Sequence, residues 1–188
     1  MSVNPLLLEF PDQFETEQFI IRSPRPGDGK ALNEAIVASI NELLPWMEFA
    51  QSIPTVEESE INIRKAYTKF LNREDLRLLA FHKETGQLAC SSGLHRINWK
   101  IPKFEIGYWT DSRLTGKGYT TEIVNGITDF AFSELKAKRL EIQCDAKNEG
   151  SQAVAEKVGF ELEGILRNHS LSVNGTELRD TCVYSKIV

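Results

Sequence analysis

The sequence is sparing with cysteine, histidine and positive charge, and each shortage narrows what the chain can do. Its three cysteines, Cys90, Cys144 and Cys182, are far apart and odd in number. They fit free thiols in a reducing compartment better than a disulfide framework, and no CxxC pair suggests zinc. His82, His95 and His169 stand in separate segments, with no carboxylate at ligand spacing on a shared helix, so no metal is expected. A formal net charge of −5 gives nucleic acid no general attraction, and no direct nucleic-acid binding is expected. No apolar run approaches the roughly 20 residues that span a bilayer, and the first residues do not join a basic segment to an apolar one. A cytoplasmic protein with no membrane partner is the expectation. Repeats, linkers and low-complexity tracts are also lacking, as is the GxSxG elbow that would support a serine–histidine–acid triad.

What remains is ordinary globular material: 188 residues, 41% hydrophobic and 26% charged. That length suits one sizeable core, and residues 1–188 are expected to form a single domain with 1–17 as an irregular N-terminal arm. A strand is expected from Phe19 to Ser23. A helix capped by Asp28 should then run to Leu43 or Leu44 and stop at Pro45. The apolar loop of Trp46, Met47 and Phe49 reads either as core filling or as a wall of a substrate cleft. Thr55 and Glu58 form a capping box that starts a second helix. Strands follow at Leu76–His82 and Gln87–Arg96, joined by a turn at Glu84-Thr85-Gly86. The last third offers a strand at Lys138–Cys144, a helix at Asn148–Val158, and two strands joined around Asn174-Gly175. The order predicts an α/β fold with a mixed sheet.

The most informative stretch is Phe104 to Phe132. Phe104, Ile106 and Tyr108 alternate with Glu105, Gly107 and Trp109, which is a strand. Thr115-Gly116-Lys117-Gly118-Tyr119-Thr120 then leads into a helix with Ile123 and Ile127 on its apolar face. A glycine turn at a helix N-terminus aims several unpartnered N–H groups at one point, which suits a phosphate or pyrophosphate. Two common phosphate loops do not fit it. The GxxxxGK[ST] string is absent, and a GxGxxG reading would place its third glycine at Thr121, past the middle of the chain.

The turn instead resembles the acyl-CoA pyrophosphate loop of the GNAT N-acetyltransferase superfamily: glutamine or arginine, two residues, glycine, one residue, then glycine or alanine. Those positions are Thr115, Gly118 and Thr120. Gly118 matches outright, Gly116 and Lys117 are common companions, and the two threonines depart from the pattern. A second signature lies in DAKNEGSQAVAEKVGF, where Asn148, Lys157, Gly159 and Phe160 match. Many members place a tyrosine two residues before that lysine, but this chain has Ala155. The branch acting on ribosomal-protein N-termini (alanine or serine) instead has a serine three residues after the asparagine, and Ser151 stands there. Glu163-Gly164-Ile165-Leu166-Arg167, Asp180 and Tyr184-Ser185 extend the likeness over nearly the whole chain.

The resemblance implies a mostly antiparallel central sheet flanked by helices, acetyl-CoA as cosubstrate, and direct transfer to an amine in a ternary complex. Glu105 is the candidate base and Ser151 the candidate proton donor to the departing thiolate, with helix capping as its alternative. Residues 115–120 and Asn148 would hold the cofactor, though Lys117 also reads as an ordinary solvated lysine. Trp46, His95 and Trp109 are candidates to border the acceptor. That acceptor is expected to be a protein or peptide N-terminus, with a small-molecule amine as the alternative. An inactive acyl-CoA-binding regulator is a further alternative, and pairing into a homodimer is left open.

Overall fold

In the computed structural model, which describes residues 4–188, the strands are β1 (Gln13–Glu15), β2 (Phe19–Arg22), β3 (Leu76–His82), β4 (Leu88–Asn98), β5 (Lys103–Thr110), β6 (Arg139–Asp145), β7 (Glu161–Leu171) and β8 (Leu178–Ile187). The helices are α1 (Gly29–Ala38), α2 (Ile40–Leu43), α3 (Val56–Leu71), α4 (Tyr119–Ser133) and α5 (Glu149–Lys157). All eight strands belong to one sheet in the order β1-β2-β3-β4-β5-β6-β8-β7. Every ladder is antiparallel except β5–β6, whose connection crosses over through α4.

Strand periodicity sorts the apolar side chains into two cores, one on each face. Leu76, Leu78 and Ala80 of β3 join Phe104 and Ile106 of β5, Ile123 and Ile127 of α4, and Ala155 of α5. On the opposite face Leu79 and Leu88 pack against Leu32 and Ile36 of α1 and Ile63 of α3. Each fully buried Leu, Ile or Phe contributes about 1.5–3 kcal/mol relative to exposure. These two clusters therefore clamp the sheet between α1/α3 and α4/α5.

The capping box at α3 is present in both directions, with Thr55 accepting from the Glu58 amide and Glu58 from the Thr55 amide. Two expectations need correction at α1. Asp28 occupies the N-cap position but makes no side-chain cap bond. Its carboxylate is engaged instead by Arg22, through two bonds of 2.7 Å, and by the Arg25 amide. The helix also breaks at Ser39, because that buried hydroxyl accepts from the Ser112 amide at 2.8 Å rather than facing solvent. In the arm, residues 13–15 are not irregular but pair as β1 with β2. The first three residues of the arm lie outside the described residues.

Candidate active site

The β5–β6 ladder is short. Lys103, Phe104 and Glu105 pair with Arg139, Leu140 and Glu141, and beyond that both strands continue without facing each other. The pairing of β5 with β6 therefore ends at Glu105, leaving the C-terminal parts of both strands unpaired with each other. In open α/β sheets, ligands sit outside the C-terminal ends of strands where neighbours diverge.

At that end of β5 stands the glycine turn. Gly116 and Gly118 have φ of 76° and 80°, a left-handed conformation that glycine adopts without strain. A Cβ built on either would meet nothing within 4 Å, so the space over the turn is open. Among the described residues, none of the amides from Gly116 to Thr121 donates to a protein acceptor. They converge on the N-terminus of α4, whose dipole favours an anion there. The two departures from the family pattern also find their reasons. Thr115 turns its hydroxyl back to the Ser112 carbonyl at 2.9 Å, and Thr120 shares a 2.7 Å bond with Thr110 at the end of β5. Thr120 thus pins the turn to the strand. Lys117 lies 5.7 Å from the Tyr119 ring.

On the β6 side of the opening, the Asn148 side chain caps α5 by accepting from the Ser151 amide at 3.1 Å. The Ser151 hydroxyl is free of that cap and donates to the Tyr108 hydroxyl at 3.1 Å. Tyr108 in turn donates to the Ser151 carbonyl at 2.9 Å. Burial holds the Tyr108 phenol well above its usual pKa, only partly offset by the bond from Ser151, so it stays protonated. Tyr108 was not singled out from sequence. Its one signal is a polar-tipped ring on the core-facing side of a strand that otherwise turns Phe104 and Ile106 inward.

Glu105 sits where the two strands part. Its carboxylate is largely buried and takes a 2.9 Å bond from Arg96. Burial raises its pKa, Arg96 opposes the rise, and neighbouring Glu141 adds to it. Glu105 is thus a carboxylate kept more basic than usual on the strand that carries Gly107 and Trp109.

That same strand floors a cavity of about 420 Å³, closed over by α1, α3 and the loop between α2 and α3. Gly107, Tyr108 and Trp109 come from β5, Ser91, Ser92 and His95 from β4, and Arg77 from β3. Glu58, Ser59 and Asn62 come from α3, and Met47 and Phe49 from the loop. His95 and Trp109, two of the residues expected to border the acceptor, both line this cavity. Trp46 does not line the cavity; its neighbours Met47 and Phe49 do, and Phe49 packs against Trp109 with ring centroids 5.8 Å apart. His95 is oriented by Asp75, 2.7 Å from its Nδ1. Glu105 is not part of the lining, although it directly faces His95 across the β4–β5 ladder.

An anion cradle at one end of β5 and a polar-floored cavity along it belong to an enzyme that joins a phosphate-bearing carrier to a second substrate. Comparison with known proteins defines the class further. A family model described as an acetyltransferase (GNAT) domain matches residues 18–161. The chain is 35% identical to the Bacillus subtilis protein named "Putative ribosomal N-acetyltransferase YdaF", over 90% of this chain and 91% of that one. It is 25% identical to the Escherichia coli ribosomal-protein-serine acetyltransferase, covering 79% of each. Among solved structures, the microcin C7 self immunity acetyltransferase MccE, in complex with acetyl-CoA and AMP, superposes with a TM-score of 0.86 at 23% identity, covering 95% of this chain and 98% of that one. The ribosomal L7/L12 alpha-N-protein acetyltransferase RimL, in complex with coenzyme A, does so with 0.84 at 20% identity, covering 92% and 96%. The chain belongs to the GNAT acetyltransferase family. It is an acetyl-CoA-dependent N-acetyltransferase.

Proposed function

We propose that this enzyme acetylates the α-amine of a protein or peptide, by direct attack within a ternary complex. Acetyl-CoA supplies the acetyl thioester. The free amides of Gly116–Thr121 and the open space above Gly116 and Gly118 fit its pyrophosphate, with Thr120 and Asn148 fixing the two sides of the opening.

The observation that carries the acceptor reading is Glu105, one carboxylate of raised basicity beside the cavity floor. An α-amine titrates near ~8 and a lysine side chain near ~10.4. At pH 7.5 about a quarter of the former is already neutral, against about one part in a thousand of the latter. The difference is about 3.3 kcal/mol of deprotonation. Glu58 of the lining is committed to the Thr55 cap, and Glu105 alone, acting directly or through water, is matched to the easier task. In this reading the Ser151 hydroxyl turns away from the Tyr108 oxygen, on which it rests, to protonate the departing thiolate. Direct transfer is supported by the cysteines: none of them lines the cavity, and burial pushes the Cys90 thiol up to about 12. The names of the Bacillus and Escherichia relatives favour a ribosomal-protein acceptor. The cavity, at about 420 Å³, admits the first residues of a chain or a small amine.

Mass spectrometry of peptides that carry both a free N-terminus and an internal lysine tests the reading. Acetylation at the N-terminus is expected. Modification mainly on lysine overturns it, and turnover of small amines alone moves the acceptor to a metabolite.

A further inference from the structure

Arg77 is the only arginine or lysine in the apolar strand β3, LRLLAFH, and the only one in the cavity lining. Its register partner on β4 is Gly93, and Gly93 faces Gly107 on β5. Across three strands, then, one row carries a single side chain. Both glycines are required by their surroundings. A Cβ at Gly93 would stand 2.6 Å from the Leu76 carbonyl oxygen and 2.7 Å from the Arg77 Cα. A Cβ at Gly107 would press on the His95 ring at 3.2 Å. With no side chains of their own, the two glycines leave the His95 ring room to lie across this row of the cavity floor.

Arg77 has no salt bridge among the described residues, and its one hydrogen-bond acceptor is the neutral Asn62 side chain. The two carboxylates nearby are engaged elsewhere. Asp75 holds His95 at 2.7 Å, and Glu58 accepts from the Thr55 amide and hydroxyl. Ser91, whose hydroxyl has no hydrogen-bond partner among the described residues, also lines the cavity. Burial lowers the Arg77 pKa, and the nearby Asp75 carboxylate, already bonded to His95, opposes that only in part. Around these donors the walls are apolar, formed by Leu32, Ile36, Met47, Phe49 and Trp109. A guanidinium is a planar fork that binds carboxylates through two parallel bonds, and it is costly to leave buried and unpaired.

We propose that Arg77 is a carboxylate receptor in the acceptor cavity, so that the favoured acceptor is a primary amine that also carries a carboxylate. In a peptide this is an acidic side chain close to the amino end. A single guanidinium matches the single charge of a carboxylate and leaves the second charge of a phosphate without a partner. The inference rests on reading the cavity as the acceptor site and deepens the function proposed above.

The test compares two matched pairs, each with and without the carboxylate. The first pair is Ser-Asp-Gly and Ser-Asn-Gly peptides amidated at the C-terminus; the second is β-alanine and β-alaninamide. The quantity read is the ratio of kcat/KM within a pair, in the wild type and in Arg77→Met, because this double ratio cancels differences in amine basicity. At least one pair is expected to show a ratio that falls about ten- to a hundredfold in Arg77→Met, the range of a lost charge-assisted bond. Arg77→Lys, which keeps charge but loses the fork, should lie between them and serves as the second variant if the first does not fold. Coenzyme A binding by calorimetry should be unchanged in both variants. Unchanged ratios in variants that still bind coenzyme A overturn the proposal, as does turnover of neither pair. An Arg77-dependent ratio with β-alanine and no peptide turnover upholds the receptor and overturns the peptide reading. Peptide acetylation with no Arg77-dependent ratio does the reverse.

Discussion

Tyr108 and Ser151 hold each other across the opening between β5 and β6. The phenol donates to the Ser151 carbonyl at 2.9 Å, and the Ser151 hydroxyl donates back to the phenol oxygen at 3.1 Å. The tyrosine oxygen thereby gives the Ser151 proton a resting partner, from which the hydroxyl has to turn to reach any other acceptor.

Ser151→Ala is expected to lower kcat by roughly ten- to a thousandfold, with acetyl-CoA affinity nearly unchanged, the behaviour of a proton donor. Tyr108→Phe removes the resting partner of that hydroxyl and not the donor, so a smaller change of kcat is expected. Its stability cost should be about 1 kcal/mol, for the net loss of its hydrogen bonds. Steady-state kinetics and denaturant melts read both. Wild-type turnover in Ser151→Ala across the pH range would leave that serine with a structural role alone.

Gly118→Val should weaken acetyl-CoA binding more than tenfold while leaving the fold intact. No protein atom lies within 4 Å of the new Cβ, so the damage comes from elsewhere. A φ of 80° costs a side chain about 1–2 kcal/mol, more for a branched one, and the isopropyl group occupies the space over the amides. Calorimetry with coenzyme A measures the loss. Unchanged affinity in a folded protein would remove the pyrophosphate from this turn.

The pH dependence of kcat/KM should show an acid limb above the ordinary glutamate value of ~4.3, because burial raises Glu105. The ionised form is the base, so activity falls as pH drops through the raised pKa. Arg96 opposes the rise, so Arg96→Met should move the limb to higher pH. Stability follows the opposite sense. A raised carboxyl pKa favours the fold fully below the unfolded value, and that contribution is lost as pH rises through the folded one. Glu105→Gln should therefore gain stability relative to wild type between pH 4 and pH 8 in urea melts. A limb that does not respond to Arg96→Met would assign it to another group.

The sequence exposed those parts of the site that are built from neighbours in the chain. Strand β5, the glycine turn and α4 follow from alternation, two glycines and a helical stripe, all within Phe104–Phe132. The Asn148 cap and the Thr55–Glu58 box are equally local. Contacts made by distant residues were hidden. Nothing near Ser151 announces Tyr108, and nothing near Asp75 announces His95. Ser39 reads as a helix residue until Ser112 arrives from another segment to take its hydroxyl. Three residues of β1 are too few to show a period. Arg77 did leave a signal, a lone cation in an apolar strand, but its meaning depends on the glycines at 93 and 107 lying beside it. That Met47 and Phe49 rather than Trp46 line the cavity was hidden for a related reason: a loop of apolar residues does not disclose which of them turn inward.

The short β5–β6 ladder gives this protein something that most sheets have only at their rims. Past Glu105, two strands present hydrogen-bonding backbone to each other's side without touching, so the molecule has a pair of internal edges. Edges on the outside of a sheet invite other chains; these lie in the interior of the sheet, between β5 and β6. A slender ligand arm that carries amides of its own can lie between them and supply the missing rungs as an extra, removable strand. Binding and release there would not require either half of the sheet to unfold.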